Sequence, residues 1–260
     1  VLNAKIIGFF DKIDFSYVHY LKCPMVSVKD LANNETVILK EYTIDTVIGA
    51  RVFSFTIYGP DITDPVAMNF KGMVDHSYAL NILSDGKNYS AVTKIPTGNG
   101  LDSLWMEPVL GKEDSFSTLR AVYIDPDTFG NAVRVQTLTK HMVKNGDPEI
   151  YLTGFNQVYN DDIINGVRLP LTIDIGYDKS KNYTGEESAN LGYVRRGDTV
   201  TVKWSPIDKK VFTFWETLSF SVGSVGNPFA SPTKIQSNIE GALGVWGGYN
   251  AIYHTIIDSL

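Results

Sequence analysis

One cysteine, Cys23, is all the sequence carries, so neither an intramolecular disulfide nor a cysteine-based zinc site can form. Free cysteine behaves as a small hydrophobe, and Cys23 is read as a half-buried strand residue; the preceding Leu21-Lys22 lacks the small residue expected before a lipid-modified cysteine. No run of about 18 apolar residues occurs, which excludes a membrane-spanning helix. The start VLNAKIIGFF has neither the basic residues nor the cleavage site of a signal peptide. Positive charge is also scarce. With 23 Lys and Arg against 29 Asp and Glu the net charge is −6, and the basic residues are thinly spread, so no nucleic-acid footprint is present.

Catalytic and cofactor motifs are missing too. There is no GxxxxGK[ST], and Gly98-Asn99-Gly100 lacks the third glycine of a dinucleotide fingerprint and leads into no helix. The histidines, His19, His76, His141 and His254, stand singly, without HExxH or a second histidine at ligand spacing, and His254 is read as an ordinary strand residue. No GxSxG elbow exists, and Ser231-Pro232-Thr233-Lys234 fits SxxK in letters only, because proline blocks the helix that motif needs. The turn Asp125-Pro126-Asp127-Thr128-Phe129 starts like a calcium loop, but Phe129 occupies a ligand position and Gln136 stands where the bidentate glutamate belongs. Asn160-Asp161-Asp162 reads as a plain acidic turn, and Glu186-Glu187 as part of a solvated loop. No enzyme, cofactor or metal is expected.

What is present is period-two alternation. In RVFSFTIYG, Phe53, Phe55 and Ile57 point one way and Ser54, Thr56 and Tyr58 the other. YALNIL and YSAVTKI flank Asp85-Gly86, a pair that supplies the positive φ of a tight hairpin. LPLTIDIGY places Leu169, Leu171, Ile173 and Ile175 on one face, and RAVYID, AVRVQTL, VTVKW and AIYHTII are further strands. One amphipathic helix is expected near 206–220, capped by Ser205 with Pro206 at its first position and Ile207, Val211, Phe214, Trp215 and Leu218 on its apolar face. The fold class is therefore all-β, mainly strands with one helix. Proline, glycine and asparagine cluster in PTGNGLDSLWMEP, residues 96–108, and suggest a division near 100. Residues 1–100 have the rhythm of an immunoglobulin-like sandwich, and residues 101–260 form a larger β-sandwich or β-barrel-like domain. With 43% hydrophobic residues the chain can fill one large core or two modest ones.

The tail GNPFASPTKIQSNIEGALGVWGGYN carries a more specific signal. Asn227, Pro228, Phe229, Pro232, Ser237, Asn238, Ile239, Gly241, Gly244 and Tyr249 stand where an NPF, a proline, an SNI, a glycine-rich turn and an aromatic strand are found in the lipoprotein family catalogued as domain of unknown function 4249. YALNILSDGKNYSAVTKIP resembles the family's hairpin, LDSL its domain junction, AVYIDPD its next strand, NDDIINGV its acidic turn, and RRGDTVTVKWSPIDKKVFTFW its strand and helix. The resemblance covers nearly the whole chain. It implies an outer-membrane lipoprotein of Gram-negative bacteria, exposed at the cell surface and encoded beside a TonB-dependent transporter, with no known enzymatic activity. The membrane would be met only through an N-terminal lipid anchor that is absent from this chain. Four Asp-Ser/Thr-aliphatic triplets also look like the O-glycosylation sequon of such bacteria, at Thr46, Ser103, Thr199 and Ser259.

Two functions stand open on this basis. In the first, the protein works without catalysis beside a TonB-dependent transporter, as a lid that captures a peptide or glycan or as an auxiliary subunit, with Trp105, Phe229, Trp246 and Tyr249 as contact residues. In the second it is a structural or adhesive protein at the cell surface. The glycines near Trp246 and Tyr249 leave two roles open, either bending the last strands or presenting a docking edge.

Overall fold

The computed structural model describes residues 25–48, 51–140, 150–163, 165–179, 181–224 and 233–259. Cys23, His19, His141 and Phe229 lie outside them. The protein is mainly β, with three antiparallel sheets and no closed barrel among the described residues.

Two compact units make up the chain. The first contains residues 1–96 and 217–248, and the second contains 97–216 and 249–260. A single cut near 100 therefore misses the later crossing. Residues 217–248 belong with the N-terminal sheet, and the second unit is not the continuous stretch 101–260.

In the first unit, β1 (Met25–Asp30), β2 (Thr36–Ile48), β3 (Arg51–Pro60), β4 (Ser77–Ser84) and β5 (Lys87–Lys94) form one sheet in the order β3-β2-β1-β4-β5, with helix α1 (Pro65–Asn69) between β3 and β4. A second sheet, which an immunoglobulin-like sandwich would need, is not found among its described residues. The hairpin expected at Asp85-Gly86 is present: both residues have positive φ, 49° and 71°, and Ser84 pairs with Lys87 across a two-residue loop. Alternation turns Val26, Val28, Tyr78, Leu80, Ile82 and Ala91 to one face. On β3 the core side is that of Tyr58, whose hydroxyl donates to Glu41 across the strand pair.

The tail of this unit explains its own glycines. Trp246 is 5% exposed and lies among these core residues, and its Nε1 donates to the Tyr78 carbonyl at 3.0 Å. Asn238 pairs with Trp246 as a strand would: Trp246 N donates to Asn238 Oδ1 at 2.8 Å, and Asn238 Nδ2 donates to the Trp246 carbonyl at 2.7 Å. Ser237 Oγ accepts from Ile239 N at 3.0 Å and Gly244 N at 3.2 Å, closing the turn. A Cβ on Gly248 would come within 2.6 Å of Ile95 Cγ1, so only glycine lets this backbone reach the sheet. Gly248 therefore serves close packing on the sheet.

In the second unit, β6 (Leu101–Pro108), β7 (Phe116–Ile124), β10 (Arg168–Ile173) and β11 (Val194–Arg195) form one sheet, with β7 paired to the other three. The other sheet runs β13-β12-β8-β9, from β8 (Ala132–Thr139), β9 (Val158–Asn160), β12 (Thr199–Ile207) and β13 (Ile252–Ile257). Their inner faces share one core of Leu119, Ala121, Tyr123, Val133, Val135, Ile173, Ile175, Val194, Val200, Val202 and Trp204. The short helix α2 (Gly185–Ala189) holds Glu186 and Glu187 on the surface. Much of the proline- and glycine-rich stretch 96–108 is strand β6 rather than linker.

Helix α3 spans Lys209–Gly223, three residues later than its sequence suggests. Ser205, Pro206 and Ile207 continue β12, in register with Arg134, Val133 and Ala132. The cap is Asp208, whose Oδ1 accepts from Val211 N at 3.0 Å. Val211 and Phe214 are buried as the amphipathic pattern requires, and Phe212 is buried beside them.

His254 ties β13 to the start of β6. Its Nε2 accepts from Leu101 N at 3.1 Å, which requires a neutral ring, and burial holds its pKa below the ordinary histidine value. A histidine whose folded pKa is depressed contributes stability that is complete above its unfolded pKa of about 6.5 and is lost as pH falls through the folded value. Thermal unfolding should therefore shift to lower temperature between about pH 7 and pH 5. In His254→Gln, which keeps an acceptor and cannot titrate there, that shift should shrink; an identical pH profile for both proteins would contradict this role.

Candidate functional site

The outer face of β13-β12-β8-β9 concentrates cations and aromatic rings. Alternation that turns Val202 and Trp204 on β12 to the shared core turns Lys203 and Ser205 to the opposite face, where Ser205 is itself buried, and alternation that buries Val133 and Val135 on β8 does the same for Arg134 and Gln136. The register makes these residues neighbours: Lys203 pairs with Gln136 on one side and Tyr253 on the other, and Ser205 pairs with Arg134. Lys203 Nζ sits 4.7 Å from the centre of the Tyr249 ring and 5.8 Å from that of Tyr151, and donates to Tyr249 Oη at 3.4 Å. Tyr151 in turn packs edge-on against Tyr253, ring centres 5.8 Å apart.

Arg134 sits against the face of Trp215 of α3, its guanidinium carbon 3.6 Å from the ring centre. Such stacking is worth about 0.5–2 kcal/mol, more where water is excluded. Burial brings its pKa down to about 10, an effect that the Tyr249 hydroxyl opposes. Lys179 is drawn down by burial first and by the charge of Arg134 second, so a third cation shares this region. Among the described residues no carboxylate lies within ion-pair distance of Arg134 or Lys203. The amide of Gln157 accepts from Arg134 Nη2 at 3.4 Å, and Gln136 Nε2 donates to the Tyr151 carbonyl at 3.2 Å. Rings, amides and unpaired cations on one sheet face suit a ligand with both flat apolar surface and polar or anionic groups.

A cavity of about 230 Å³ lies elsewhere in this unit, lined by Tyr123, Tyr159, Leu169, Leu171, Trp204 and Phe212. Burial pushes the Tyr159 phenol up to about 12, with the charge of Asp174 adding to it, and raises Tyr123 in the same direction. The carboxylates nearby fasten two turns: Asp161 Oδ2 accepts from Asn131 N at 2.8 Å, and Asp125 Oδ2 accepts from Gly166 N at 3.1 Å. Burial, and after it the Asp161 charge, raises Asp125. These acidic turns are structural locks, and among the described residues no three histidine, cysteine or acidic side chains are grouped to hold a metal ion.

The contact residues named from sequence have different fates. Tyr249 belongs to the cation and aromatic face, while Trp246 is 5% exposed in the core of the first unit. Trp105 is 38% exposed on the outward side of β6, paired with Arg120, which Glu107 holds at 3.1 Å. Phe229 lies outside the described residues. Of the sequon residues, Thr46 is on β2, Ser103 and Thr199 are half-buried, and Ser259 is exposed just beyond β13. The triplets at 198 and 258 lie side by side, Asp258 N donating to the Asp198 carbonyl at 2.9 Å and Gly197 N to the Asp258 carbonyl at 3.0 Å.

Arg134, Gln136, Lys203, Ser205, Tyr151 and Tyr253 were not visible as a site from sequence. AVRVQTL and VTVKWSP each show a cation at an outward position, but only the register brings those positions together.

The described residues form two β units, the second carrying a sheet face of cations and aromatic rings. Residues 26–252 match the family described as Domain of unknown function (DUF4249), and the chain belongs to that family. No curated protein matches it.

The two tryptophans provide a direct check on these placements. Trp246→Ala should lower the unfolding free energy by about 3–5 kcal/mol, the usual cost of emptying a core aromatic site. Trp105→Ala should cost under about 1 kcal/mol, as surface changes do. Urea denaturation of both variants measures this, and equal losses would contradict the assignment of core and surface.

Proposed function

We propose that the chain is a non-catalytic binding protein, held at the outer-membrane surface by a lipid anchor and working with a TonB-dependent transporter as a substrate-capturing lid or auxiliary subunit. The chain's family membership over residues 26–252 carries no function of its own, and the lipoprotein and transporter setting is drawn from the resemblance of its tail, hairpin and helix motifs. The observation that carries the binding role is the outer face of β13-β12-β8-β9, where Lys203 and Arg134 lie among Tyr151, Tyr249, Tyr253 and Trp215 without carboxylate partners among the described residues. A face of this composition captures a ligand by stacking and charge and has no need of a nucleophile.

A second reading, a structural or adhesive surface protein, draws on a different feature. Phe129 is 80% exposed and Ile163 is 94% exposed, on the two turns that Asn131 and Asp161 tie together. Paired apolar side chains at turn tips favour contact with another macromolecule.

Affinity purification of the lipid-anchored protein from detergent-solubilised outer membranes, with mass spectrometry of the co-purifying proteins, separates the two. The transporter reading expects a TonB-dependent transporter in near-stoichiometric yield. Recovery of the protein alone would overturn that reading and favour adhesion.

A further inference from the structure

The two sheets of the second unit leave a gap between their edge strands. β9, at the edge of one sheet, is only three residues long, and β10 is an edge strand of the other. Register sets Tyr159 beside Val133 in the first of these sheets and Leu169 beside Tyr123 in the second. Between them, with Trp204 of β12 and Phe212 of α3, lies the cavity of about 230 Å³. Trp204, Tyr123 and Phe212 are buried and form its floor. Tyr159, Leu169 and Leu171 are half-buried and Glu216 is exposed, so the mouth opens on solvent.

The chemistry of the lining selects the sign of its occupant. Four aromatic rings line the cavity, and the negative face of an aromatic quadrupole attracts cations. The charged side chains of the lining are Asp125 and Glu216, both acidic, with no lysine, arginine or histidine among them. Asp161 stands close enough for its charge to act on both Asp125 and Tyr123, so a third carboxylate adds to the same field. Lys209, whose charge interacts with Asp161 and Glu216, is held by Asp162 at 2.8 Å. An anion is repelled by such a lining, and a neutral ligand draws nothing from its charge.

The apolar part of the lining selects the kind of cation. Val133, Val158, Leu169 and Leu171 offer no acceptor, and Asp125 Oδ2 already accepts from Gly166 N at 3.1 Å. An ammonium group bearing several N–H donors would lose its water and recover few hydrogen bonds, whereas a methylated one has no such donors to satisfy. Size sets the last limit. An apolar cavity of about 150 Å³ holds benzene, so this one suits a ligand somewhat larger than that.

From this arrangement we infer that the cavity binds a small quaternary ammonium compound, its methylated head against the rings of Trp204, Tyr123, Tyr159 and Phe212 and its charge answered by Asp125 and Glu216. The site is separate from the cation and aromatic sheet face, and the inference goes beyond the function proposed above without depending on a transporter.

The test titrates the full chain calorimetrically with choline, with its neutral carbon isostere dimethylbutanol, which keeps the shape and removes the charge, and with ethanolamine, which keeps the charge and removes the methyl groups. Choline should bind saturably with a Kd of about 1 mM or below, and each of the other two at least about tenfold more weakly. Tyr159→Leu, which keeps apolar bulk and removes a ring, should weaken choline binding by at least about fivefold, and Glu216→Gln by about twofold to fivefold with unchanged thermal unfolding. Should Tyr159→Leu fail to fold, nuclear Overhauser contacts from the choline methyl groups to the Tyr159 ring locate the site in the unaltered protein. No binding of choline, equal binding of choline and either control, indifference of the folded Tyr159→Leu variant, or the absence of those contacts would each overturn the inference. A protein that co-purifies with a transporter yet ignores choline retains the transporter role and loses this site; a protein that binds choline but is recovered alone does the reverse.

Discussion

The arrangement of the second unit depends on the alternation of one strand, Thr199–Ile207, between two neighbours. Val200, Val202 and Trp204 are almost wholly buried, and they fix which side of the strand faces the core. Because side-chain direction repeats every two residues, that choice also fixes Lys203 and Ser205 on the opposite face, and a slip of one residue would drive a lysine into the core. Antiparallel pairing on both flanks transmits the same choice to Arg134 and Gln136 on one side and to Tyr253 on the other. Burial of apolar area stabilises the unit at about 25 cal/mol per Å², and the cation and aromatic face is a geometric consequence of that packing.

The first unit is organised by a contact distant in sequence. Trp246 fills the core of a sheet whose strands end more than 150 residues earlier, with its indole N–H satisfied by the Tyr78 carbonyl. The SNI and glycine pattern of the tail has a mechanical explanation there. Asn238 supplies the acceptor and donor of a missing strand, Ser237 closes the turn, and Gly248 permits backbone approach where a Cβ would collide with Ile95. These motif residues serve architecture.

How much of this could be read in advance depends on the range of each interaction. Strands were legible, because alternation is local: YALNIL and AVRVQTL fall wholly in strands, and YSAVTKI and AIYHTII do so but for one end residue each. The Asp85-Gly86 hairpin was legible for the same reason. The helix start was misplaced because Ser205-Pro206 has the letters of a cap, whereas pairing with β8 holds both residues in the strand and leaves capping to Asp208. The association of 217–248 with the N-terminal sheet, and the burial of Trp246, rest on long-range packing that no local pattern records. The candidate site was the least legible part. Tyr249 was noticed as an aromatic beside glycines, but its partner Lys203 is 46 residues away, and their meeting depends on the return of the chain beside β12.

The most direct measurement is a map of side-chain proximities by nuclear magnetic resonance in the isotopically labelled full chain. Contacts between the Trp204 and Tyr123 rings, whose centres lie 4.9 Å apart, and between Lys203 and the Tyr249 ring are the predicted result. Contacts of Lys203 with Tyr123 instead would contradict the alternation on which the second unit depends.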